Sequence, residues 1–264
     1  MIGAVAVAAA AATVALGVRE VSRRGGLPGG VRRWERTNHA GATVTLTEGI
    51  SLAAGAAAPL LLLDRPAAWA VLESAVAGAL DDLDGQADVK GLRGHLSALR
   101  AGEMTSGVVK IAALAEAGLV SVAWSDHREG RTLGPHTLAG AALVAGAANL
   151  ANLLDLRPGR ALKVALACAL PPALGGRPAA AAVLGAGLAV LTDDLRGRSM
   201  LGDTGANPLG AAVGLAAAQA LPSRGRWVVL TIVVGLVLAS EKVSFSRVID
   251  ATPVLRAVDR WGRP

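Results

Sequence analysis

Three carboxylates, Asp81, Asp82 and Asp84, stand directly after the apolar run at residues 67–80. A carboxylate that slides into hydrocarbon costs free energy, so an acidic run at the mouth of an apolar segment is held at a surface or used there. Paired carboxylates suit Mg²⁺, which prefers hard oxygen ligands and keeps some waters. One of a pair can also act as a base toward a phosphate or hydroxyl. A solvated helix end balanced by nearby cations, such as Lys90 and Arg93, is the plainer alternative. Two further stretches have similar chemistry. Asn149, Asn152 and Asp155 recur three apart, which places two amides and a carboxylate on one helical face. Pro158-Gly159 ends that helix, and Arg157, Arg160 and Lys163 are cations able to hold a phosphate. Helix–helix hydrogen bonding and charge anchoring would account for the same residues without a ligand. In Gly202-Asp203-Thr204-Gly205 the carboxylate could cap the helix that follows, while the glycines let a ligand approach the backbone. Residues 32–41 are basic, with Arg32, Arg33 and Arg36, and read as a juxtamembrane segment attracted to anionic lipid; His39 is a lone ligand candidate there.

The elements that must position these groups are apolar. The chain of 264 residues is 53% hydrophobic and only 17% charged, with a mean hydropathy of +0.49. Long apolar runs recur between short charged stretches, the pattern of a polytopic membrane protein. They fall at residues 2–18, 43–63, 67–80, 107–124, 135–154, 162–174, 178–192, 204–221 and 227–240. Ala and Gly dominate them, and small residues let helices pack closely in lipid. The expectation is an all-α integral membrane helix bundle of about nine transmembrane helices. It forms one domain over 1–264, with 241–264 as a cytoplasmic tail. The first run has no basic segment before it, so it reads as an uncleaved span rather than a signal peptide. Trp34, Trp69, Trp124, Trp227 and Trp261 lie near segment ends, where interfacial rings fit. The single Cys168 excludes a disulfide within the chain and reads as a packed thiol.

The net charge of +6 does not mark a nucleic-acid binder, because the basic residues fall in alternate loops. With the N-terminus outside, only Arg65, Arg128, Arg131, Arg177, Arg224 and Arg226 of the 26 Lys and Arg lie on the outer side. The basic side is then cytoplasmic by the positive-inside rule. Asp81, Asp82, Asp155 and Asp203 all fall on it, from loops far apart in sequence.

In order and type these stretches resemble the polyprenyl-phosphate N-acetylhexosamine-1-phosphate transferases, the superfamily that includes phospho-N-acetylmuramoyl-pentapeptide transferase. Asp81-Asp82 resembles the family's Asp-Asp motif, Asn149-x-x-Asn152-x-x-Asp155 its Asn-x-x-Asn-x-x-Asp motif, and Gly202-Asp203-Thr204-Gly205 its Gly-Asp-(Thr/Ser)-Gly motif. The resemblance covers about residues 30 to 245. It implies a Mg²⁺-dependent transfer of a sugar-1-phosphate from a UDP-sugar to a polyprenyl phosphate on the cytoplasmic face of the cell membrane. Such a step belongs to cell-envelope polysaccharide or peptidoglycan precursor synthesis, and a homodimer is compatible with it. Carried over, Asp203 is the metal ligand. Asp81, Asp82 and Asp155 are catalytic, and Asn149, Asn152, Lys90, Lys110 and Arg160 face substrate.

The chain also departs from the family. Pro158 stands where a second Asp often follows the Asn pair. Gly85 replaces a common Lys, and residues 241–246 lack the family's His-rich motif. A shortened, divergent member is the expectation. A non-catalytic descendant that binds lipid phosphate or scaffolds envelope enzymes is the alternative. A small transporter ranks lower, since no inverted repeat is evident and the acidic groups collect at one surface.

Overall fold

A computed structural model of the chain describes residues 2–27, 29–37, 41–84 and 105–264. Each of the nine apolar runs contains a helix, the run at 43–63 only from Thr47 onward. In chain order these are α1 (Ile2–Arg23), α2 (Thr47–Leu63), α3 (Arg65–Asp84), α4 (Ser106–Arg128), α5 (Pro135–Leu154), α6 (Arg160–Leu174), α7 (Pro178–Leu195), α8 (Gly202–Ala220) and α9 (Ser223–Ser240). Two short helices follow, α10 (Phe245–Ala251) and α11 (Pro253–Arg260). The boundaries follow local chemistry. Pro135 and Pro178 open α5 and α7, where proline loses no helical hydrogen bond. The Thr105 hydroxyl accepts from Val108 N to cap α4. Gly159, at φ 72°, supplies the left-handed turn between the end of α5 and α6 that a side chain would oppose.

Five helices, α1, α4, α5, α7 and α9, are long and apolar enough to cross a membrane. The other four fall short for different reasons. At 17 and 15 residues, α2 and α6 are shorter than the ~20 residues a straight span needs. α3 carries Arg65, Glu73 and the acidic run. α8 lies at the centre, packed against α2, α3, α4, α5, α6 and α7, and buries most of its length. A helix surrounded by protein has no need of lipid-facing bulk.

Small residues set the spacing around α8. A Cβ on Gly49 would overlap the Leu201 carbonyl, and one on Gly78 would overlap the Asp203 carbonyl. Glycine at both positions lets α2 and α3 press their backbones onto the start of α8.

A two-stranded antiparallel hairpin, β1 (Glu35–Thr37) and β2 (Thr43–Thr45), is the only sheet among the described residues. Met200 N donates to Thr45 O at 3.0 Å, which ties the hairpin to the segment entering α8. Trp34 departs from the interfacial expectation. It is 4% exposed and packs with Leu27 and Leu46 beneath this hairpin. The other four Trp residues are exposed as expected.

The helix ends sort the polar groups. The C-termini of α3, α5 and α7 and the N-termini of α4, α6 and α8 share one end of the bundle. At the opposite end, Asp126 and Arg226 form a buried bidentate pair at 2.6 and 2.9 Å, joined by Arg131 and Thr137.

Candidate active site

The last turn of α3 meets the first turn of α8. Asp82 Oδ1 accepts from Asp203 N at 3.2 Å, and its Oδ2 accepts from Thr204 N at 2.8 Å and Thr204 Oγ1 at 2.6 Å. The carboxylate of one helix therefore caps the N-terminus of another, where unpaired N–H groups and the helix dipole favour negative charge. Arg36 donates to the Asp82 carbonyl, adding the basic first loop to this junction. The capping anticipated for Asp203 is thus performed by Asp82. Asp203 is left with its side chain directed elsewhere.

That direction is Lys110, in the first turns of α4. Its Nζ lies 2.7 Å from Asp81 Oδ2 and 2.5 Å from Asp203 Oδ2, with all three side chains partly accessible. Two carboxylate oxygens from separate helices thus converge on a single cationic centre. Two hard oxygens at one point, open to solvent, match the partial donor set Mg²⁺ uses when substrate phosphates and waters complete its shell. Among the described residues no three His, Cys, Asp or Glu side chains form a ready-made metal cage.

Asp155 stands just past the end of α5, and its Oδ2 accepts from Gly202 N at 3.1 Å. Burial pushes its carboxyl well above the usual carboxylate range, and the negative charges of Asp194, Asp203 and Asp82 push the same way. Asn152 and Asn149 lie about one and two turns earlier on the same helix. Their side chains are half-buried and take no hydrogen-bond partner among the described residues. The three separated motifs thus meet at one junction: Asp82 and Asp155 both bind the Gly202–Thr204 backbone, and Asp81 and Asp203 share Lys110.

Two residues of the expected set stand differently. Lys90 lies outside the described residues, as do His39 and Arg93. Arg160 is 3% exposed and committed: it pairs with Asp259 at 2.7 and 3.2 Å and donates to Ser246 Oγ at 2.9 Å. Its guanidinium holds the C-terminal segment and is not presented to a phosphate. Several neighbours went unnoticed in the sequence. Glu48, at the start of α2, is 2% exposed and accepts from Ser199 Oγ at 2.6 Å. Asp194, at the end of α7, accepts from Gly159 N at 2.9 Å. Arg19 and Arg23 bind Asp193. The pair Asp193-Asp194 after an apolar run repeats the pattern of Asp81-Asp82, and that was the available signal.

A cleft of about 500 Å³ opens beside Lys110. Arg33, Asp81, Ser106 and Lys110 line its polar part, and Val76, Leu80, Val109 and Ala113 line most of the wall along α3 and α4, interrupted by the Glu73 carboxylate. A second groove, about 290 Å³ and almost wholly apolar, lies between α5, α6, α8 and α9. The first joins charge to hydrocarbon within one cavity, which suits an amphiphile with an anionic head.

No protein-family model, curated protein or solved structure matches the chain.

Proposed function

We propose that the protein is a phosphoglycosyltransferase that moves a sugar-1-phosphate from a UDP-sugar to a polyprenyl phosphate. The observation that carries this reading is the convergence of Asp81, Asp203 and Lys110 at the mouth of a cleft that is polar at one end and mostly apolar, Glu73 apart, along α3 and α4. An acceptor phosphate at the polar end would meet Lys110 and Arg33, with its isoprenoid chain against Val76, Leu80 and Val109. One acceptor oxygen attacks the phosphorus that bears the sugar. The bond from that phosphorus to the bridging oxygen breaks, and UMP leaves. Several negative charges gather in this step, and cationic groups positioned beforehand offset their repulsion.

Asp203 and Asp81 would hold Mg²⁺, with Lys110 giving up its bridging place between them. When bound, the metal supplies charge neutralisation at the diphosphate and the leaving nucleotide. Asp81 also orients the acceptor phosphate and takes its proton where one is present. Asp82 fixes the start of α8 and so the position of Asp203. Asn149, Asn152 and Asp155 line the donor side. Nine membrane crossings, with the N-terminus outside and this junction in the cytoplasm, complete the reading, supported by the alternating direction of the nine helices and the bias of basic residues.

A second reading is a lipid-phosphate binder without transferase activity. The burial of Arg160 against Asp259 favours it, because a cation expected at the phosphates is engaged elsewhere. The discriminating experiment supplies purified protein with Mg²⁺, undecaprenyl phosphate and a panel of UDP-N-acetyl-sugars. UMP release that requires the lipid supports transfer. Saturable lipid-phosphate binding without release supports the second reading.

A further inference from the structure

The C-terminal segment after α9 is more than a tail. It folds back onto the turn that follows Asp155. Asp259 of α11 pairs with Arg160, Lys163 Nζ donates to the carbonyls of Val258, Asp259 and Trp261 at 3.0, 2.6 and 3.1 Å, and Arg263 Nε donates to Pro158 O at 2.7 Å. The docked face of α11 is thus polar. Its remaining surface divides in two. Val254, Leu255, Val258 and Trp261 fall within one side of the helix and are 72%, 46%, 57% and 76% exposed. Arg256 and Arg260, four apart, lie on the opposite side.

An apolar face that none of the described residues covers, backed by arginines, is the signature of a helix lying in a bilayer interface. The position agrees. α11 is fixed to the first turn of α6, at the bundle end where α3, α5 and α7 stop. An exposed Trp at that level fits the headgroup region. The charge complementarity selects the lipid: arginines beside a buried apolar face bind anionic headgroups.

We propose that residues 245–263 form an interfacial strap that seats on anionic lipid and thereby holds the 155–160 turn beside Asp203. The strap makes the geometry of the candidate site sensitive to lipid charge. The proposal stands apart from the transferase reading, since its seating and its effect on the turn are read without catalysis.

The test uses full-length protein carrying Cys168→Ala and Val254→Cys, labelled with an environment-sensitive fluorophore and reconstituted in vesicles. One set is phosphatidylcholine alone and the other contains phosphatidylglycerol as well. The label should be quenched by brominated acyl chains and shielded from aqueous acrylamide, a neutral quencher that vesicle charge does not repel, with acrylamide quenching reduced about threefold or more by phosphatidylglycerol. Hydrogen exchange of residues 155–160 should slow in the anionic vesicles. That slowing should disappear in an Arg256→Gln, Arg260→Gln variant whose other helices remain protected. A label quenched by acrylamide equally in both vesicle types would overturn the interfacial seating. Seating that leaves exchange at 155–160 unchanged would overturn the link to the site.

Discussion

At the scale of single residues, adjacent aspartates divide the work. Asp82 spends both oxygens on the first turn of α8, whereas Asp81 points to Lys110. The same substitution at the two positions should therefore read differently. Asp82→Ala should lower stability by about 1–2 kcal/mol, the scale of a lost N-cap, as measured by thermal unfolding in detergent. Asp81→Asn should leave the melting temperature within a few degrees and act on ligand handling. Asp155 allows a pH prediction. Its carboxyl is held above the usual range by burial and by neighbouring carboxylates, so folding takes up a proton. Its contribution is most favourable below the ordinary carboxylate range and is lost as pH rises toward the raised value. Asp155→Asn retains an oxygen for Gly202 N and removes the repulsion. It should raise the melting temperature at mildly alkaline pH and flatten the pH dependence. A fall in melting temperature there would contradict the assignment.

At the scale of elements, the site depends on backbone contact between α3 and α8 and on the docking of α11. Gly78→Val would force a side chain into the Asp203 carbonyl, so α3 must shift away from α8. The variant should lose both thermal stability and any activity that depends on Asp203, measured on the same preparation. The α11 docking has the opposite pH sign to Asp155. Burial opposes ionisation of Asp259, but its hydrogen bond with Arg160 and the charges of Arg160, Arg263 and Lys163 prevail and hold its carboxyl below the usual range. That contribution is complete above the ordinary carboxylate range and is lost as pH falls through the lowered value. Limited proteolysis should release the C-terminal segment under acid conditions before the bundle melts. Asp259→Asn should show the same release at neutral pH.

At the scale of the whole molecule, long-range pairs hold the bundle at both ends. Arg226 and Asp126, 100 residues apart, are 2% and 0% exposed, so Arg226→Met leaves a buried carboxylate short of its main partner. It should cost about 3 kcal/mol in thermal or denaturant unfolding, and the Asp126→Leu, Arg226→Met double variant should cost less than the sum of the two singles. No feature of the sequence near either residue announces this pair. The same holds for Arg160 with Asp259 and for Asp82 with Thr204, because local periodicity has no information about partners a hundred residues away. The helices themselves were legible because each apolar run is long relative to the error in its ends. The gathering of Asp81, Asp155 and Asp203 was legible because helices that alternate in direction bring alternate loops to one end of the bundle. Trp34 was misread because an aromatic near a segment end can cap a small core as well as meet an interface. α8 had too little hydropathy to stand out as the central helix, since its neighbours are protein and its residues are small.

The central claim, that the Asp81–Lys110–Asp203 junction transfers a sugar phosphate to lipid, is met most directly by following the sugar itself. Purified protein would be incubated with Mg²⁺, undecaprenyl phosphate and radiolabelled UDP-N-acetyl-sugar, and the label extracted into organic solvent. Wild-type protein should move label into the lipid fraction with matching release of UMP. Asp81→Asn and Asp203→Ala should each reduce that transfer by about a hundredfold or more while remaining folded in the membrane. Transfer that persists in the Asp203→Ala protein, or a well-folded wild type that transfers none of the sugars, would contradict the account.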